Sequence, residues 1–139
     1  MSITKVVQLC SVLLVIASVG ANAEARNPCG GVDRGLPAKY KAELEPALAK
    51  QLRVPKADVL EMMRDGKWSV IYVDSHDADE AFLFYAGDPL RTHYVSAWSG
   101  AAGRNEELAI KRWVTLNVKG VPVRLARCFA WHVTQDRTQ

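Results

Sequence analysis

The stretch KWSVIYVDSHDADEAFLFYAGDPLRTHYVSAWSG, residues 67–100, decides the fold. From Lys67 to Asp74, Trp68, Val70 and Tyr72 alternate with Ser69, Ile71 and Val73. That is the two-residue period of a β-strand. Ala81–Ala86 follows, with Phe82, Leu83, Phe84 and Tyr85 apolar almost throughout, the pattern of a central strand covered on both faces. Gly87-Asp88-Pro89 is a turn signal. A third strand is expected over about Thr92–Ser99, with His93, Val95 and Ala97 opposite Tyr94, Ser96 and Trp98. The link between the first two strands, Asp74-Ser75-His76-Asp77-Ala78-Asp79-Glu80, is acidic and carries one histidine.

Working towards the N-terminus, Pro37 opens a helical stretch in which Tyr40, Leu44, Ala47, Leu48 and Leu52 recur at helical spacing. Pro46 lies inside it, so the reading allows one kinked helix or two short ones. After Val54-Pro55, the residues Val59, Leu60, Met62 and Met63 predict a second helix, with Gly66 as its C-terminal cap. Towards the C-terminus, Gly100–Gly103 is a small-residue loop and Asn105 can cap a helix. Leu108, Ala109, Trp113 and Leu116 form that helix's stripe, and Gly120 ends it. Pro122 starts a short helical turn to about Arg127. Cys128–Thr134, rich in aromatic and β-branched residues, is expected as a fourth strand. The expected class is α+β, in the order α-α-β-β-β-α-β. An antiparallel sheet of about four strands carries N-terminal helices and one helix before the last strand, packed on one face.

The ends of the chain speak to compartment. Met1–Lys5 carries one positive charge, Val6–Gly20 is mostly apolar, and Ala21-Asn22-Ala23 fits the small-x-small pattern of a cleaved secretory signal. The apolar run is short for a bilayer span. Cys10 lies too near the start of that run to be a lipidation site and leaves with the signal. The expected organisation is a signal peptide over 1–23 and a single domain over 24–139, in the periplasm or secreted. Cys29 and Cys128 remain in the mature chain, and an even pair in an oxidising compartment reads as a disulfide. With 18 Lys and Arg against 15 Asp and Glu, the overall balance names no polyanion. Leu48–Leu60 has the outline of a DNA-reading helix-turn-helix, but an exported protein does not meet operators, so no nucleic-acid partner is expected.

The acidic link concentrates five carboxylates and His76 between Asp74 and Asp88. It is not a calcium loop, because the sixth position is Asp79 rather than glycine and the twelfth is Tyr85 rather than glutamate. A solvated turn accounts for its composition; a recognition loop accounts equally for a histidine beside a carboxylate at a protruding tip. His76, His93 and His132 follow no metal-ligand spacing, and neither metal nor cofactor is expected. Trp98-Ser99-Gly100 lacks the preceding glycine of a nucleophile elbow. Of the four tryptophans, Trp98 beside the small-residue loop is the candidate to line a groove.

Val70-Ile71-Tyr72, then Ser75-His76-Asp77, then Phe82-Leu83-Phe84-Tyr85 resembles the central third of the Ivy-type inhibitors of vertebrate lysozyme. Those are small secreted proteins in which an inter-strand loop carries a His-Asp pair that plugs the lysozyme cleft. The resemblance implies that His76 meets carboxylates of the target and that Asp77 steadies the loop. Two cysteines flank the pair in that family, and here neither flank holds one. The resulting expectation is an exported, non-catalytic binding protein with a protein partner and no stable membrane span. Its contact residues are Asp74, His76, Asp77, Asp79, Glu80 and Trp98. The alternatives are a small hydrolase using Ser99 with His93 or His132, and an envelope structural factor.

Overall fold

Gly66 and Lys67 turn the chain back on itself, joining strand β1 (Asp58–Asp65) to strand β2 (Trp68–Asp74), with Asp65 opposite Trp68. Gly66 has a φ of 60°, the left-handed value that favours glycine at the first central position of a two-residue hairpin. The computed structural model describes residues 27–137; the expected signal segment, Met1–Ala23, lies outside the described residues. β3 (Ala81–Tyr85) and β4 (Ser96–Ser99) extend the hairpin into an antiparallel meander in the order β1-β2-β3-β4. The class is α+β, with one antiparallel four-stranded sheet and helices packed on it.

Two element assignments differ from the sequence reading. Residues 58–65 are a strand, not a second helix, and Gly66 is a hairpin turn, not a helix cap. The cause is a β-bulge: Val59 pairs with Val73 and Glu61 with Tyr72, leaving Leu60 as the extra residue. The bulge puts Val59 and Met62 on one face of the sheet and Met63 on the other. In the sequence this imitates helical spacing.

The second difference is Cys128–Thr134, expected as the fourth strand. It belongs to helix α3 (Val123–Trp131) and a π-helical turn, His132–Asp136. Cys128, Phe129, Ala130, His132, Val133 and Thr134 are all buried. Over 128–134 every residue but Trp131 is buried, so this stretch lacks the polar face that marks a helix, and its aromatic and β-branched content reads as a strand.

The helices cover both faces of the sheet rather than one. Helix α1 (Ala38–Leu52) runs unbroken through Pro46 and seats Leu44 and Leu48 against Val59, Met62, Ile71, Val73, Leu83 and Tyr85. It ends at Arg53, whose φ is 58°, just before Pro55. On the other face, α2 (Glu107–Asn117), its C-terminal cap Val118 and α3 pack Val114, Val118, Leu125 and Phe129 against Trp68, Val70, Tyr72, Phe82 and Phe84. β2 and β3 are therefore sandwiched, as their apolar runs require. A Cys29–Cys128 disulfide, with a Cα–Cα distance of 4.5 Å, ties the N-terminal segment to α3 inside this second core.

Candidate functional site

β1 starts beside the point where β2 ends, Asp58 opposite Asp74, and the acidic link to β3 begins there. Asp74 is the first residue of a tight side-chain turn: its Oδ1 accepts the backbone N–H of His76 at 2.8 Å. His76 adopts a left-handed φ of 61°, a conformation that histidine visits more readily than bulky apolar residues. The turn swings the imidazole back over the strand ends. There Nε2 lies 2.7 Å from Asp58 Oδ2 and Nδ1 lies 3.4 Å from Asp74 Oδ2. The ring is held between two carboxylates while its side chain stays 46 % exposed. Lys56 Nζ sits 3.1 Å from the same Asp58 oxygen. Lys56 first, and then His76, hold the Asp58 carboxyl below the ordinary aspartate range.

Beside this tip lies a cavity of about 520 Å³, bordered by Asp74, His76, Asp79 and Glu80. Its inner wall is Tyr72 and Phe82, stacked with ring centroids 4.3 Å apart, and Arg137. The Arg137 guanidinium lies 4.1 Å from the centre of the Tyr72 ring and 5.1 Å from that of Phe82. It donates a hydrogen bond to the Tyr72 hydroxyl and approaches Glu80 to 3.9 Å. Cation–π contact and charge pairing thus fix the last described residue against the sheet.

Of the six expected contact residues, the cavity brings together Asp74, His76, Asp79 and Glu80. Asp77 is exposed but does not line it, and the carboxylates that hold His76 are Asp58 and Asp74 rather than Asp77. Trp98 is half-buried on β4 opposite Phe82, edge-on to Phe129 at 5.6 Å, so it serves the core. Asp58 and Arg137 were not singled out by the sequence reading. The Asp65-Gly66 pair between apolar runs is a hairpin signal, and taking it as such would have carried Asp58 to Asp74. Nothing local marks Arg137, which lies 65 residues from Tyr72.

A second constellation sits behind the wall. His132, only 2 % exposed, lies with Nε2 2.5 Å from Glu61 Oε2 and Nδ1 2.8 Å from Asp136 Oδ2. The Glu61 contact is short without being well aligned, and neither of its two atoms has another hydrogen-bond partner among the described residues. Arg34 Nη2 completes the group, 3.0 Å from Asp136 and 3.1 Å from His132 Nδ1. His132 holds the Glu61 carboxyl below its ordinary range, against the opposing effect of burial. Burial pushes Asp136 upward, but His132 and Arg34 outweigh it and the net shift is downward.

The Ser99–histidine pairing has no counterpart here. Both nitrogens of His132 face carboxylates, His93 Nδ1 lies 3.0 Å from the Tyr94 carbonyl, and no serine bonds a histidine among the described residues. No described helix is long and apolar enough to cross a membrane. No protein-family model, curated protein or solved structure matches the chain.

Proposed function

We propose that this chain is an exported, non-catalytic binding protein that works through its 74–80 loop, in its sharpest form as an inhibitor of a lysozyme-like cell-wall hydrolase. The observation that carries the reading is His76, clamped by Asp58 and Asp74 yet exposed at the rim of an acid-lined cavity. An imidazole held in one orientation loses little freedom on binding. The carboxylates of Asp74, Asp77, Asp79 and Glu80 give the tip the sign that attracts a basic partner. Asp58 and Asp74 stand in for the cysteine staple that flanks the loop in the Ivy-type family. Export to the periplasm or medium is supported by the signal-like N-terminus and by the Cys29–Cys128 bond.

The test is a titration of the chain against a panel of basic lysozymes, with His76→Ala/Asp77→Ala beside the parent. The parent is expected to inhibit at least one enzyme, and the double variant to lose about tenfold or more in potency. Absence of inhibition by the parent across the panel removes the hydrolase-inhibitor form. Equal inhibition by parent and variant removes the loop.

A further inference from the structure

The overall charge balance conceals a segregation. Between Arg104 and Arg127 there are six cations, Arg104, Lys111, Arg112, Lys119, Arg124 and Arg127, against Glu106 and Glu107. Between Asp58 and Asp88 the balance is reversed, with eight carboxylates against Arg64 and Lys67. The basic segment is α2, α3 and their connection. Both helices cover the same face of the sheet. Arg124 pairs with Asp65, whereas Lys111, Arg112, Lys119 and Arg127 form no ion pair among the described residues.

Three large apolar side chains stand out from the same helices. Leu108 is 69 % exposed, Leu116 59 % and Val123 68 %. On α2, Leu108, Lys111, Arg112, Thr115 and Leu116 follow helical spacing and line one shallow groove together. This groove shares no residue with the cavity at the acidic tip. Two leucines and two unpaired cations thus occupy the face of α2 that the fold leaves open.

We infer that this outer face of α2 docks the protein on the surface of an anionic phospholipid bilayer. Charge complementarity selects this occupant. A second copy meeting the face about a two-fold axis would set Lys111 and Arg112 against their own copies. A nucleic-acid backbone would satisfy the cations but leave Leu108 and Leu116 in water. Headgroup phosphates take the cations, while the acyl boundary below them takes the leucines. The contact is peripheral, shallow and salt-sensitive, and it stands apart from the proposed role of the 74–80 loop.

The experiment is co-sedimentation of the purified chain with vesicles of phosphatidylcholine, with and without phosphatidylglycerol. Four proteins are compared: the parent, Lys111→Gln/Arg112→Gln, Leu108→Ser/Leu116→Ser, and Lys39→Gln/Lys50→Gln on α1 as a charge-matched control. Melting curves check that each is folded. The parent is expected to bind only the anionic vesicles, and to leave them in about 1 M salt, where screening acts over about 3 Å. Each α2 variant is expected to lose about tenfold in partitioning, and the α1 control nothing resolvable. Failure of the parent to bind, or α2 variants that bind like the parent, overturns the proposal. So does a parent that dimerises through the two leucines and ignores the vesicles, or one that binds duplex DNA equally well after the leucines are replaced.

Discussion

Cutting the Cys29–Cys128 bond is expected to remove a large share of the stability. The bond spans a sequence separation of 99 residues. On the chain-entropy model a loop of about 100 residues restricts the unfolded chain by about 4.7 kcal/mol. Domains of this size are stable by roughly 5–15 kcal/mol in total. Unfolding entropy of about 2.1 cal/mol/K per residue, over roughly 110 residues, gives about 0.23 kcal/mol/K, so the melting temperature should fall by about 20 °C. Reduction of the native chain isolates the cross-link, because both sulfurs stay. Cys29→Ala/Cys128→Ala also empties part of the core, where Cys128 Sγ lies 3.9 Å from Met63 Sδ, and should melt a few degrees lower still. The assay is thermal unfolding by circular dichroism with and without reductant. A drop below about 5 °C on complete reduction would refute the reasoning, since the unfolded chain would then be gaining almost no freedom.

The other predictions concern the two histidine clusters. His132→Leu keeps the volume but leaves the Glu61 and Asp136 carboxylates without the imidazole between them. A broken buried pair costs roughly 3–5 kcal/mol, and because both carboxylates are half-exposed, about 2–3 kcal/mol is expected in urea unfolding. The same carboxylates fix the acid limb. Both are depressed in the folded state, so their contribution is complete above the ordinary carboxylate range near pH 4 and is lost as pH falls through the folded values. Melting temperature should therefore decline below about pH 4, and Glu61→Gln/Asp136→Asn should flatten that decline; an unchanged slope would show that other groups govern it. At the tip, Asp58→Asn removes one of the two carboxylates that hold His76. It should leave the melting temperature near the parent's and weaken inhibition several-fold; equal potency would mean that the clamp does not matter for binding.

How much was legible depends on whether a residue's partners lie nearby in the chain. The alternation over Lys67–Asp74 and the apolar run over Ala81–Ala86 are written locally, because a strand's faces repeat every two residues. The 58–65 strand was hidden by one extra residue, Leu60, which changes the period without changing the composition. The 128–134 stretch was hidden because all of it but Trp131 is buried, which erases the contrast on which periodicity rests. At the candidate site the acidic link and His76 stood out from composition alone. Their settings did not: the carboxylate beside His76 in the sequence is Asp77, while Asp58, the closer of its two partners in space, lies 18 residues away.

By itself the sequence determined the α+β class, the strands at the centre of the sheet, the pairing of Cys29 with Cys128 and the acidic character of one loop. Each follows from composition or from a period within a few residues. Only the tertiary structure decided that helices cover both faces, that Glu61 lies against His132, and that Arg137 walls the cavity. These are meetings between residues tens of positions apart. They exist only once the chain has paid the entropy of folding, and no local pattern encodes them.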